Sequence, residues 1–211
     1  MSAADFIPEN LDPDSLRRAA AGCRGCELYR HATQTVFGEG GPHAKLVLIG
    51  EQPGDREDRS GHPFVGPAGG LLDQALVEAG IARDEAWVTN AVKHFKWELR
   101  GTRRIHKKPS EREIDACTPW LLAEVSALQP KVVVCMGATA VRAAFGHNLR
   151  LADHRGRFTA SRLGPQTFVT IHPSAILRLH GREEWRADYE REYTRFVREL
   201  GEVATRLSNR L

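Results

Sequence analysis

Two hydrophobic periods take turns along this chain. Residues 45–50 form an apolar run that halts at Gly50, the pattern of a strand buried on both faces, and the apolar spacing over 71–79 predicts a helix behind it. Residues 86–90 predict a second strand, 131–137 a third with a short helix over 138–145, and 166–171 a fourth. Ser110-Glu-Arg-Glu113 is a capping box for a helix running toward Leu128, with Pro119 as a point for a kink. Asp12-Pro13 starts an earlier helix that should end near Gly22, and helical spacing returns over 183–207 through Trp185, Tyr189, Phe196, Val197 and Leu200. This alternation predicts an α/β fold of three layers, with a short, mainly parallel four-stranded sheet between helices. Ligands of such sheets bind beyond the carboxyl ends of the strands. There the sequence places Gly50-Glu-Gln-Pro-Gly54, Asn90, Gly137 and His172-Pro-Ser174.

The 211 residues suit a single domain spanning the chain, and no repeat or linker divides it. With 41% hydrophobic residues and no apolar run near the length of a bilayer span, a membrane role is excluded as an expectation. The first residues lack a secretory pattern, so a reducing cytoplasmic location is expected, where four cysteines point to metal before disulfides.

The net charge of +3 decides nothing, but its distribution does. Lys93, Lys96, Arg100, Arg103, Arg104, Lys107, Lys108 and Arg112 are opposed only by Glu98 and Glu111 over that stretch. Such a segment is either a solvated loop or a phosphate-binding surface. Cys23-Arg-Gly-Cys26 can grip one metal centre, and Cys117 on the helix after Ser110 can add a third thiolate. Cys135 sits in an apolar strand and is assigned to the core. His94, just past the second strand, is the better fourth ligand; three cysteines and a histidine suit zinc or an iron–sulfur cluster, and spacing alone slightly favours zinc.

Three stretches together resemble the iron–sulfur uracil-DNA glycosylases: Gly50-Glu-Gln-Pro-Gly54, Phe64-Val-Gly-Pro-Ala-Gly69 and His172-Pro-Ser174. Thr89-Asn-Ala-Val-Lys93 matches the segment that carries that family's uracil-reading asparagine. The resemblance runs from Cys23 to about Leu177. It implies a [4Fe–4S] cluster held by Cys23, Cys26, Cys117 and His94, the last replacing the family's usual cysteine. Within the superfamily the chain is most similar to the UdgX-type proteins, by its Glu51-Gln52 pair, its Lys93-His94 pair and an inserted Arg-Arg-Ile-His loop, here residues 100–108. Thr102 stands where those proteins carry a lysine.

The resemblance assigns roles that the chemistry of a flipped base makes reasonable. Phe64 stacks on uracil, Gly50 is expected among the substrate-binding residues, and the Asn90 amide faces O4 and N3–H, an edge that cytosine presents reversed. His172 donates to the departing base, while Glu51 stabilises the cationic sugar or orients its attacker and Gln52 helps position the base. Ser174, Arg103, Arg104, Lys107 and Lys108 are expected on phosphates of uracil-containing DNA, single-stranded DNA being one candidate form. His106, kept neutral by those cations, is expected to attack the sugar and leave the protein covalently attached. A water-using glycosylase that releases an abasic site, and a noncatalytic zinc-stabilised nucleic-acid-binding module, are the competing expectations. A monomer satisfies all three. His31, His43, His62, His147 and His180 default to surface or packing roles, and His154-Arg155-Gly156 also resembles a family stretch, with no role beyond supporting the site or contacting DNA.

Overall fold

The computed structural model describes residues 2–180 and 185–209. Five strands form the central sheet in the order β2 (Ala86–Asn90), β1 (Leu46–Gly50), β5 (Val132–Met136), β7 (Gly164–Thr170) and β6 (Arg157–Ser161). β2, β1, β5 and β7 are parallel, and β6 pairs antiparallel at the edge. The four expected strands are therefore present and parallel, and the sheet has a fifth. β6 was hidden because Arg157-Phe-Thr-Ala-Ser161 lies half-exposed at an edge and lacks the apolar run that marks a central strand.

Strand side chains alternate between two cores. Val47, Ile49, Trp87, Val133, Cys135 and Val169 face one layer, with α1 (Pro13–Ala20), α4 (Glu111–Leu128) and α5 (Ala138–Phe145). Leu46, Leu48, Val88, Val132, Val134, Met136 and Phe168 face the other, with α3 (Pro67–Glu78), α7 (Pro173–Leu177) and α8 (Trp185–Ser208). Short helices α2 (Asp55–Ser60) and α6 (Leu151–His154) lie in the connections. The expected long helix over 183–207 is seen from Trp185; residues 183 and 184 lie outside the described residues. The Ser110 capping box forms as expected, and α4 continues through Pro119. No helix among the described residues is long and apolar enough to cross a membrane.

The segment 100–108, expected as a basic loop, is largely a hairpin. β3 (Trp97–Arg100) and β4 (Arg103–His106) pair antiparallel, with Trp97 opposite His106 and Leu99 opposite Arg104. Opposed residues share a face, so His106 and Arg104 look the same way.

Candidate active site

Beyond the carboxyl ends of the parallel strands lies a cleft of about 610 Å³, lined in part by Glu51, Gln52, Phe64, Asn90, His106 and His172. Its floor is where Asn90, Phe64 and His172 meet over Gly50, the last residue of β1. A side chain there would place its Cβ 2.4 Å from Asn90 Oδ1, 2.7 Å from Phe64 Cζ and 3.1 Å from His172 Nε2, so these three groups converge where only hydrogen fits. The parallel register sets Gly50 beside Asn90, and Phe64 and His172 stack with ring centres 5.9 Å apart. Phe64 takes a left-handed backbone (φ 59°), unusual for an aromatic residue. The turn is held because Glu57 Oε1 accepts from Gly66 N at 2.8 Å, and because Gly69 has no Cβ to strike the Phe64 carbonyl.

His172 caps α7. Its Nδ1 accepts from Ser174 N at 3.1 Å and lies 2.9 Å from the Ser174 hydroxyl, which leaves the ring proton on Nε2, the atom nearest the floor. Burial depresses its pKa to about 4, against the pull of Glu51. At neutral pH the cleft therefore presents a neutral imidazole N–H. Ser174 lines the cleft, but its hydroxyl is engaged by His172 and accepts from Arg178 at 2.9 Å.

Glu51 stands across the mouth. Its Oε2 accepts from Thr139 Oγ1 at 2.8 Å, and its Oε1 lies 3.2 Å from His106 Nε2. Burial raises its pKa, but the bonds from His106 and Thr139 and the nearby imidazoles outweigh that, and the carboxyl stays below its ordinary value. The partner of His106 is thus a carboxylate, where the sequence led us to expect a ring of cations.

Two expected roles move. Gln52 does not aim its amide at the floor: Nε2 donates to the carbonyls of Lys96 and Lys107, each at 3.1 Å, and Oε1 accepts from Lys96 N at 3.0 Å. It ties both legs of the hairpin to the end of β1. Arg104, expected on phosphate, instead pairs with Asp55 and Asp58 (2.5 and 2.7 Å), donates to Thr33, and lies over the rings of Phe95 and Trp97. Both side chains brace the strand that carries His106.

The basic segment is likewise divided. Lys93 is wholly buried against Glu124, and Lys96 pairs with Glu113 at 2.7 Å. Lys107 meets Glu98 in an exposed pair. Arg103 and Lys108 are exposed and make no ion pair among the described residues. Arg56 and Arg178, which sequence reasoning passed over, join Lys108 on the cleft lining. His154 lies outside that lining, near Thr159.

Cys23, Cys26 and Cys117 are free thiols, Cys23 and Cys117 buried in the core that α1 and α4 cover. Burial raises the Cys117 pKa to about 12, with Cys26 and Cys23 close enough to add to the effect. N–H groups already point at their sulfurs: Trp120 Nε1 at 3.2 Å and Gly25 N at 3.5 Å from Cys23, and Lys93 N at 3.3 Å from Cys117. His94 is buried and neutral, its pKa held at about 4 by desolvation, but its Nε2 meets Thr35 Oγ1 at 2.9 Å. Among the described residues no group of three or more Cys, His, Asp or Glu side chains stands ready-made as a metal site. Three thiols and their donors fit a thiolate-bound centre; the imidazole has to leave Thr35 to complete it.

The model of the uracil DNA glycosylase superfamily matches residues 37–200, a range that includes the cleft lining and the hairpin. The chain belongs to that superfamily. Among curated members, a type-4 uracil-DNA glycosylase of Thermotoga maritima is 36% identical over 162 residues, covering 76% of this chain and 81% of that protein. A type-4 uracil-DNA glycosylase of Archaeoglobus fulgidus is 32% identical over 186 residues, or 84% and 90% of the two chains.

Proposed function

We propose that this protein excises uracil from DNA and that His106 captures the sugar it leaves, as the resemblance to UdgX-type proteins implies. The observation that carries the proposal is the 3.2 Å contact between His106 Nε2 and ionised Glu51 at the mouth of the cleft. A flipped uracil would stack on Phe64, offer O4 and N3–H to the Asn90 amide, and meet the Nε2–H of neutral His172. As the C1′–N1 bond breaks, its electron pair leaves on the base, where the His172 donor stabilises it, and Glu51 faces the electron-poor sugar. His106 Nε2 bonds to the electron-poor C1′ as its proton passes to Glu51 in the same step, so no free imidazolate forms. Glu51 returns that proton to the expelled base, directly or through solvent, so charge and protons balance. Arg56, Lys108 and Arg178 on the cleft lining, and exposed Arg103 beside the hairpin turn, would hold flanking phosphates, and phosphate can compete with the exposed Glu98 for Lys107.

Cys23, Cys26, Cys117 and His94 would hold the [4Fe–4S] cluster of the related iron–sulfur enzymes. When bound it would cross-link α4, the loop carrying Cys23 and Cys26, and the segment leaving β2, and the N–H groups directed at Cys23 and Cys117 would stabilise their thiolates.

The test mixes the protein with end-labelled single-stranded DNA bearing one uracil and resolves the products under denaturing conditions, beside thymine DNA and a His106→Ala variant. A heat- and detergent-stable, uracil-dependent shift that the variant lacks is expected. Free abasic DNA from both proteins would make water the nucleophile. No reaction at all would leave a binding module.

A further inference from the structure

The least expected group near the cleft is the Lys93–Glu124 ion pair, whose side chains are 1% and 0% exposed. Such a pair is weak support for a fold, because apolar residues of similar volume usually serve stability as well or better. What an apolar pair lacks is directed donors, and each Lys93 donor has a distinct acceptor. Nζ reaches Thr89 Oγ1 at 2.5 Å, the Asn90 carbonyl at 2.9 Å, and Glu124 Oε2. Two of the three acceptors belong to the last two residues of β2. Glu124 is immobilised in turn: Oε1 accepts from Gly38 N, Trp87 Nε1 and Thr89 Oγ1 at 3.1, 3.2 and 2.9 Å.

We propose that Lys93 is a positioning residue for base selection, holding the Asn90 peptide so that its amide meets the uracil edge at one fixed depth. The inference rests on the uracil reading above. The Asn90 side chain has little room to find that depth alone, since its Oδ1 sits 2.4 Å from where a Gly50 Cβ would be. A displacement on the order of 1 Å at such a contact costs roughly 100-fold in rate. Lys93 holds the carbonyl at the root of that side chain while Glu124, anchored on α4, holds Lys93.

The experiment uses the double variant Lys93→Met/Glu124→Gln. Gln keeps an oxygen for Gly38, Trp87 and Thr89, so the change is aimed at the donor to Asn90. Single-turnover reaction is measured on DNA carrying uracil and on DNA carrying 3-methyluracil, which lacks the N3–H, with thermal melting as the control for folding. The expected result is a melting temperature near that of the wild type and a uracil rate reduced roughly 10- to 100-fold, the worth of one hydrogen bond from a charged donor. The preference for uracil over 3-methyluracil should shrink by a similar factor. Equal losses on both substrates, or an unchanged ratio, would overturn the proposal by reducing Lys93 to a packing residue. If the double variant does not fold, Thr89→Val, which removes one of the ammonium's acceptors, is read in the same assay, and an unchanged ratio overturns the proposal there too. A wild-type protein that shows no uracil-dependent reaction would instead defeat the uracil reading, so the two failures are distinguishable.

Discussion

Replacing His172 with Asn keeps an oxygen able to cap α7 and removes the imidazole that titrates. In the unfolded chain this histidine binds a proton near pH 6.5, and in the folded chain only near about 4. Between those values the unfolded state holds more protons, so stability rises with pH. The contribution is complete above about pH 6.5 and is lost as pH falls toward about 4. At about 1.4 kcal/mol per pH unit the full interval is worth about 3 kcal/mol. The ring lines an open cleft, and access of water at its edge reduces the expected figure to about 2 kcal/mol. Urea unfolding of wild type and His172→Asn, followed at several pH values across the interval, measures it directly. His94 is depressed to about 4 in both proteins, so the difference between the two curves isolates His172. Wild type should lose about 2 kcal/mol more than the variant between neutral pH and the lower end. Parallel curves would refute both the depressed pKa and the neutral Nε2–H donor drawn from it.

Gly50→Ala should fold yet lose the uracil reaction by at least about 100-fold, because its methyl occupies the convergence of Asn90, Phe64 and His172; single-turnover kinetics and a melt report the two outcomes separately. Arg104→Met should cost about 2 to 4 kcal/mol in denaturant unfolding, since it strands the wholly buried carboxylate of Asp58, and should lower capture by His106 beyond what partial unfolding explains. Arg103→Ala and Lys108→Ala should each reduce the slope of log affinity against log salt by about 1 for uracil-free DNA, without changing base preference. Cys117→Ser should abolish bound iron and visible absorption in freshly purified protein, and iron retained at wild-type stoichiometry would remove Cys117 from the ligand set.

The central strands were legible in the sequence because burial on both faces leaves no polar residue to interrupt them, as in Leu46–Gly50 and Val132–Met136. Capping chemistry made the starts of α1 and α4 equally plain: Asp12 and Ser110 accept the backbone N–H groups their positions imply. The motif residues Glu51, Phe64, Asn90, His106 and His172 do line one cleft. Illegible were the choices made by long polar side chains. Nothing in a run of lysines and arginines says that Lys93 turns inward to Glu124 or that Arg104 finds Asp55 and Asp58, because those partners lie far along the chain and only the fold brings them near. Arg56 and Arg178 were missed for the converse reason: each is an ordinary charged position on a short helix or at its end, and becomes notable only through the cleft beside it.

A histidine on a surface hairpin is a poor candidate for a nucleophile unless something removes its freedom to wander, because rate depends on attack geometry more steeply than on affinity. The hairpin is fixed at two levels. At its base Gln52 bonds the backbone of both legs, which ties the end of β1 to the hairpin. Along β4, Arg104 reaches down to α2 on the face that His106 shares, two residues away. Glu51 then takes the imidazole itself. Gln52 and Glu51 are adjacent in sequence, so the turn that positions the carboxylate also positions the strand bearing its partner. The two residues that departed from their expected roles, Gln52 and Arg104, thereby supply the rigidity that a covalent reading of His106 requires.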